Sequence, residues 1–322
     1  MKCRSSLAIA CATILSTVSA AQANGAVSEF PAGGLVFKSE ESISIAREDL
    51  EIGWDRINVR YVFVSSATEP LVRTIGFPLA KVSLEDGPDN IENRSWSQDE
   101  GVDDPRNYMA FRVFVNGTPL TPKLHEYAWS GETDVTRRLL DLDIPLLSTD
   151  MDSYVRLAQL PDATLEELRR HDLVWDEVPP GAGWIAPKWE YQSVYEWTQT
   201  FSPGETVVEI SYRPLFGADV DYHRYYPDGE GASHYCMDEA TKREFMTRGG
   251  QPEAFTVGYI LQTARYWNGP IGDFRLKVGD DLGVLFAFCV PEGLEPAGDD
   301  RSWTARDFVP DSDVKIVFYV YG

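Results

Sequence analysis

The chain has 322 residues, of which 43% are hydrophobic and 25% are charged. This hydrophobic content suffices for a packed core and excludes global disorder. The 51 acidic residues outnumber the 29 lysines and arginines and give a formal net charge of −22. Nucleic acids and anionic lipid surfaces repel such a polyanion, so we exclude both as main partners.

The chain begins with the three parts of a secretory signal peptide. Lys2 and Arg4 give a positive start, residues 7–18 form an apolar run, and Ala21-Gln22-Ala23 is a cleavage site of the A-x-A type. The run is shorter than the about 20 residues that a membrane-spanning helix needs. We therefore expect residues 1–23 to be removed and the protein to be exported, without a membrane span, to the periplasm or the cell surface.

Alternating apolar residues predict strands in the N-terminal part. Residues 57–63 place Ile57 and Tyr61 on one face and polar residues on the other, which is the period of a strand. Asn116-Gly117 is a strong hairpin signal. Further strands are predicted at 71–78, 109–115 and 120–127. Together they predict a β-meander over about residues 30–130, interrupted by an acidic insertion at 85–104.

The middle of the chain has helical spacing. Residues 150–160 and 162–171 predict two helices, and Asp162 is typical of a helix start. A loop rich in proline and glycine follows, and we predict a domain boundary near residue 188.

Strands resume in the C-terminal part, around one short helix at 238–248 that ends in Gly249-Gly250. The strands are predicted at 191–201, 206–214, 255–264, 274–278, 284–290 and 314–321. The predicted fold is therefore mainly β. It comprises an N-terminal β-sandwich-like domain (24–145), a helical segment with its loop (146–188) and a second β-rich unit (189–322).

Four cysteines are present, and Cys3 and Cys11 leave with the signal peptide. Cys236 and Cys289 remain as a pair, and thiols of exported proteins commonly form disulfides. We predict a Cys236–Cys289 disulfide that contributes about 4 kcal/mol in the chain-entropy model. The alternative is that these cysteines form a metal-binding or redox pair.

Several segments resemble a family of exported bacterial proteins known as domain of unknown function 4424. The resemblance implies an exported protein and carries no established activity or catalytic residues. Cys236 and Cys289 stand where the family has its cysteines. The matching segments are 33–37, 48–52, 59–61, 76–79, 197–212, 266–276 and 307–310.

Two acidic regions are candidates for metal binding. Asp219, Asp221, His223 and His234 carry ligand groups, and the D-x-D-x-H spacing can present three of them on one side of an extended chain. The alternative is a solvated acidic loop. The insertion at 85–104 offers carboxylates for calcium but lacks the D-x-[DN]-x-[DN]-G pattern, so a solvated loop is again the alternative.

Aromatic residues and one rigid loop are candidates for ligand contacts. Trp189 and Trp197 belong to a dense aromatic stretch that either stacks on sugars and partner proteins or packs in the core. The loop that contains Trp267, Asn268 and Asp273 is either a binding feature or a tight connection that needs glycine.

The sequence contains no coherent catalytic constellation, and we assign no catalytic residue. The expected function is a non-enzymatic envelope module that binds or scaffolds an envelope protein or glycan. The alternatives are a hydrolase acting on an envelope glycan or peptide, and a metal-dependent adhesive module. No cofactor is expected, apart from the divalent metal of the last alternative.

Overall fold

The computed structural model describes most of the chain between residues 26 and 321. The described residues are 26–29, 36–79, 81, 106–148, 151–175, 183–214, 217–218, 226–279, 283–299 and 301–321. The predicted signal peptide and the acidic insertion at 85–104 lie outside them. Among the described residues, no helix is long and apolar enough to cross a membrane.

The described part is mainly β, which confirms the predicted fold class. Its strands are β1 (Ala26–Glu29), β2 (Val36–Phe37), β3 (Ile43–Ile52), β4 (Ile57–Ser65), β5 (Leu71–Pro78), β6 (Arg112–Val115), β7 (Thr118–Leu120), β8 (Lys123–Ser130), β9 (Thr133–Asp134), β10 (Glu190–Phe201), β11 (Gly204–Tyr212), β12 (Gly217–Ala218), β13 (Glu253–Tyr259), β14 (Ile271–Val278), β15 (Leu285–Phe288), β16 (Glu295–Pro296), β17 (Ser302–Phe308) and β18 (Val314–Val320).

Short helices accompany the strands. They are α1 (Thr136–Asp141), α2 (Met151–Ala158), α3 (Asp162–Arg170), α4 (Glu230–His234), α5 (Glu239–Arg248) and one 3-10 helix (Gln262–Tyr266). The three helices predicted from the sequence are present as α2, α3 and α5, with ends that differ by at most two residues. Asp162 lies in the first turn of α3, and Pro161 is its N-cap residue.

The strands form three sheets. The eight-stranded sheet has the order β16-β17-β14-β3-β4-β11-β6-β7, the six-stranded sheet the order β2-β1-β5-β10-β8-β9, and the four-stranded sheet the order β12-β13-β18-β15. One apolar core contains side chains from all three sheets. Phe63 of β4 contacts Phe201 of β10, and Tyr61 of β4 contacts Tyr259 of β13. Both smaller sheets therefore cover the same face of the eight-stranded sheet.

Two smaller apolar clusters complete the interior. Helices α1, α2 and α3 pack on one end of the six-stranded sheet around Trp189 and Tyr191. Helix α5 packs on the four-stranded sheet through Phe245, whose ring centroid lies 5.1 Å from that of Tyr319. Other residues of α5 lie beside β15, the edge strand of that sheet.

A β-bulge in β3 decides which of its side chains enter the core. The pairing of β3 with β4 shifts register between Ile45 and Arg47. Ile43 and Ile45 therefore face the core before the bulge, and Glu48, Leu50 and Ile52 face it afterwards. A bulge inserts one extra residue and so reverses the alternation. The charged side chain of Glu48 enters the core for this reason.

The strand partners differ from the predicted meander. Strands β4 and β5 follow each other in sequence but lie in different sheets. The hairpin turn at Asn116-Gly117 is present and joins β6 to β7, but the predicted return strand at 120–127 does not pair with β6, because β8 lies beside β10 in the six-stranded sheet. Alternation identifies a strand and its buried face, but it does not specify the neighbouring strand.

The division predicted near residue 188 does not separate the sheets. Strand β10 lies between β5 and β8, and β11 lies between β4 and β6. Strand β14 pairs in parallel with β3. Strands from 189–322 thus complete sheets that begin before residue 145, and such non-local pairs leave no local signal in the sequence.

Candidate functional site

A groove lies along the outer edge of β15, and we call it the β15 groove. It has a cavity volume of about 380 Å³ and is bordered by α5, β15 and β17. The lining residues used below are Asp238, Ala240, Arg248, Phe286, Val290 and Trp303.

Helix α5 forms one wall because its sequence gives it two different faces. Phe245 is buried against the four-stranded sheet. Asp238, Thr241 and Arg248 line the groove instead. The helix starts at a conventional cap, since the side chain of Asp238 accepts a hydrogen bond from the backbone N–H of Thr241 at 2.7 Å. This backbone hydrogen bond is the main reason why the pKa of Asp238 is lowered.

The groove is clamped at both ends. The disulfide Cys236–Cys289 joins the residue three positions before the start of α5 to the residue after β15. At the other end, Nη1 of Arg248 donates a hydrogen bond to the backbone carbonyl of Gly283 at 2.9 Å. Arg248 is itself held by Glu244 at 2.5 Å. The disulfide predicted from the sequence is therefore present, and it also fixes the spacing between the helix and the strand.

Strand β15 forms the floor. Leu285 and Ala287 pack toward α5, whereas Phe288 packs into the large core on the opposite face of the sheet. Side chains from both faces of this strand line the same cavity. The cavity therefore runs along the edge of the sheet and not over one of its faces.

The opposite wall comes from β17. The ring of Trp303 stands at 4.9 Å from that of Phe288, nearly perpendicular to it. Arg301 also lines this wall. Two acidic and two arginine side chains in all line the groove, so its lining has no net charge although the whole chain is strongly acidic. Apolar surface between polar ends suits a ligand that combines apolar side chains with a polar backbone.

A second depression lies on the outer face of the eight-stranded sheet and measures about 540 Å³. Its charged side chains are directly opposite one another across the strands. Arg60 lies between Asp49 and Glu209, with nitrogen–oxygen distances of 3.8 Å to each. Glu51 adds a third carboxylate, so the lining of this depression is net acidic and does not favour an anionic ligand.

A buried polar cluster lies inside the large core. The hydroxyl of Tyr259 is 3.5 Å from Oε1 of Glu48 and 2.9 Å from the hydroxyl of Tyr61. Among the described residues, Oε2 of Glu48 has no hydrogen-bond partner. Burial raises the pKa of Glu48 to about 8, although the tyrosine hydroxyls lower it. The three side chains are at most 2% exposed, so a substrate does not touch them in this conformation.

Trp267, Asn268 and Asp273 are binding candidates from the sequence, and the structure places each in different surroundings. Trp267 is buried, with its ring 4.5 Å from that of Phe63. The backbone N–H of Asn268 bonds to the carbonyl of Ile43 at 3.0 Å. Asp273 lies on the outer face of the eight-stranded sheet, 3.0 Å from Arg275. None of the three lines the β15 groove.

Trp189 and Trp197 were the other binding candidates, and both rings are packed in the interior. Trp189 is fully buried, and its Nε1–H donates to the carbonyl of Leu146 at 2.7 Å. Nε1–H of Trp197 donates to Oε1 of Gln199 at 3.1 Å. Their burial corresponds to the core-packing alternative, because neither ring offers a surface to a ligand.

The metal candidates fall mostly outside the described residues. Asp219, Asp221 and His223 belong to the segment 219–225, which the structure does not describe. His234 ends α4, and its ring lies against that of Tyr235. Within the described ranges, no three His, Cys, Asp or Glu side chains come together as a set that could hold a metal ion.

The sequence analysis missed the groove, although one signal for it was available. It predicted the helix at 238–248, the strand at 284–290 and the disulfide separately. A bond between Cys236 and Cys289 requires that the start of this helix lies beside the end of this strand. No local signal in the sequence predicts that Trp303 lines the groove, because β17 reaches it through the pairing of strands that are distant in the sequence.

Comparison with known proteins identifies the family. The model described as Domain of unknown function (DUF4424) matches residues 23–317. The chain belongs to this family. The DUF4424 match confirms the resemblance inferred from the sequence and includes every residue of the β15 groove.

Other comparisons are distant. No curated protein matches the chain. A solved structure described as a “putative nutrient binding protein” from Legionella pneumophila subsp. pneumophila str. Philadelphia 1 is similar at 14% identity. The alignment covers 92% of this chain and 72% of that chain, with a TM-score of 0.41. A likeness at this level does not assign a ligand.

Proposed function

We propose that this DUF4424 protein is an exported, non-enzymatic binding module of the bacterial envelope, and that its partner occupies the β15 groove. The observation that carries the proposal is the disulfide-clamped cavity of about 380 Å³ along a free sheet edge. A covalent clamp keeps the groove open before the partner arrives, and such preorganisation lowers the entropic cost of binding.

Export is supported by two independent features. The first is the arrangement of Lys2, Arg4 and the apolar run before Ala21-Gln22-Ala23. The second is the disulfide Cys236–Cys289, a bond that persists mainly in oxidising compartments. We expect the mature protein to begin near Asn24. N-terminal sequencing of material from the periplasm or cell surface tests this, and a mature form that retains Met1 would contradict it.

Site-specific photo-crosslinking tests the function. A photoreactive phenylalanine analogue replaces Val290, which lines the groove and is 41% exposed. The matched control carries the same analogue at Val309, which is 66% exposed and does not line the groove. Both variants are expressed with their own signal sequence in the native envelope and irradiated.

We expect a discrete crosslinked species from the Val290 variant that excess unlabelled wild-type protein removes. The Val309 variant should not give this species. Identical crosslink patterns at the two positions would show that the groove is not the binding site.

A further inference from the structure

We infer that the β15 groove takes an extended polypeptide segment of a partner protein, which adds as a strand to the free edge of β15. The inference rests on the proposed function and names the class of ligand. Three observations carry it: the unpaired edge of β15, the position of that edge at the bottom of a groove, and the apolar lining with the acidic Asp238 at one end.

The edge of β15 that faces the groove can form further backbone hydrogen bonds. Leu285–Phe288 pairs with β18 on one side. On the groove side, no strand of the described residues pairs with it. In an antiparallel pair, alternate residues point their N–H and C=O groups away from the partner strand. A second strand satisfies these groups with matching donors and acceptors, which is the basis of peptide recognition by strand addition.

The depth of the groove selects the kind of strand. Helix α5 and Trp303 of β17 rise on either side of the edge. A second copy of this protein carries its own β15 equally recessed, so the two edges cannot approach each other. A free extended segment has no such walls and can reach the floor. The ligand is therefore a flexible segment of another protein and not the sheet edge of a folded domain.

The dimensions agree with a short strand. The four residues of β15 span about 13 Å at the rise of a strand. Asp238 and Arg248 line opposite ends of α5 and are about 15 Å apart along the helix axis. Arg248 lies at the start of β15 through its bond to Gly283. Asp238 lies near its end, two residues after the disulfide-bonded Cys236.

The side chains then specify the composition of the segment. Phe286 and Trp303 present apolar surface beside the edge, which favours apolar residues at alternate positions of the ligand. Arg248 is already paired with Glu244, so only the end with the exposed Asp238 favours a charged residue of the ligand, a basic one. The expected ligand is thus an extended, alternately apolar segment with a basic residue at the end that meets Asp238.

Peptide selection on the intact mature protein tests the inference. The probe is a displayed library of random linear twelve-residue peptides, selected on the wild type. The affinity of the enriched peptides is then measured for the wild type and for Ala240→Trp, in which the larger side chain fills the groove from the exposed side of α5. Met246→Trp is the matched control on the same helix, at a position that is 72% exposed and does not line the groove.

We expect enriched peptides to bind Ala240→Trp at least about tenfold more weakly, whereas Met246→Trp changes their affinity less than about twofold. Single N-methylation along a selected peptide should weaken binding at every second position, because only alternate amides of an added strand face β15. Amide hydrogen exchange of Leu285–Phe288 should slow when the peptide binds.

Three results would overturn strand addition. The first is a selection that yields no peptides whose binding Ala240→Trp weakens. The second is an N-methylation profile in which the loss of affinity does not alternate along the peptide. The third is a dimer of the protein itself that Ala240→Trp dissociates. If Val290 still crosslinks to a partner in these cases, the proposed function stands and only the ligand class is wrong. If the Val290 crosslink also fails, the groove is not a binding site.

Discussion

Glu48 and Asp49 are neighbours in β3, yet the two faces of the eight-stranded sheet place their carboxylates in opposite surroundings. Glu48 is fully buried between Tyr61 and Tyr259, and burial raises its pKa to about 8. Asp49 lies on the outer face, where it is 25% exposed and contacts Arg47 at 2.6 Å and Arg60 at 3.8 Å. The protein therefore buries one carboxylic acid, which is largely protonated at neutral pH, and places its neighbour beside two arginines on the outer face.

The comparison shows that one β-bulge determines which of the two acidic side chains is buried. Without the bulge between Ile45 and Arg47, the strict alternation that starts at Ile43 would turn Asp49 inward and Glu48 outward. The bulge instead turns Leu50 and Ile52 toward the core, and Glu48 faces the core with them. Three variants test the two faces and the bulge between them, from the largest expected effect to the smallest.

Glu48→Gln should change the pH dependence of stability most. Below pH 4.5 the Glu48 carboxyl is protonated in both states, and its stabilising contribution is complete. Between pH 4.5 and about 8 it ionises only in the unfolded state, so rising pH lowers the free energy of unfolding. The loss is on the order of 5 kcal/mol when it is complete above pH 8. Glutamine does not titrate, so the Glu48→Gln variant lacks this pH-dependent loss of stability.

Urea denaturation of wild type and Glu48→Gln at pH 5, 7 and 9 measures this effect as the difference between the two proteins. The difference cancels the contributions of the other carboxylates, such as Glu40, whose pKa is lowered and whose contribution has the opposite sign. We expect Glu48→Gln to gain stability relative to wild type as pH rises. A difference that stays constant from pH 5 to 9 would show that Glu48 is not a protonated core residue.

Gly272→Val should test the bulge itself. A Cβ on Gly272 would lie 2.8 Å from the carbonyl oxygen of Ala46, the extra residue of the bulge. Because this neighbour is backbone, we expect a loss of about 1–3 kcal/mol in the free energy of unfolding. Of the two glycines in the loop 266–274, Gly269 has a positive φ of 78°, whereas close approach to Ala46 is the reason for glycine at position 272.

Thermal and urea unfolding compare Gly272→Val with Gly258→Val. Gly258 also lies in a strand, but no atom lies within 4 Å of the position its Cβ would take. Valine is favourable in strands, so the control should be neutral or slightly stabilising. Equal losses in both variants would show that the contact with Ala46 does not constrain the bulge.

The sequence predicted local elements well and their assembly poorly. Residues 71–78 were predicted as a strand with the bounds that β5 has, because alternation and the flanking turns are local signals. The switch of apolar positions from Ile43 and Ile45 to Leu50 and Ile52 was also visible and marks the bulge. The parallel pairing of β14 with β3 was not, since it joins segments more than two hundred residues apart. The β15 groove likewise depends on segments that are distant in the sequence, so local signals do not predict it.

Asp49→Asn should have the smallest effect, because water and salt screen the outer face. Exposed ion pairs contribute up to about 1 kcal/mol, and those of Asp49 involve arginines that are 37% and 42% exposed. We expect a loss below about 1 kcal/mol in low salt that largely disappears at about 1 M salt, where the screening length is about 3 Å. Glu51→Gln is the matched control on the same face of β3, where Glu51 is 54% exposed and contacts Lys277 at 3.6 Å. It should lose less than Asp49→Asn. A loss in Asp49→Asn that persists in high salt would show that this face is shielded from solvent, and the contrast with Glu48 would then be one of pairing rather than of exposure.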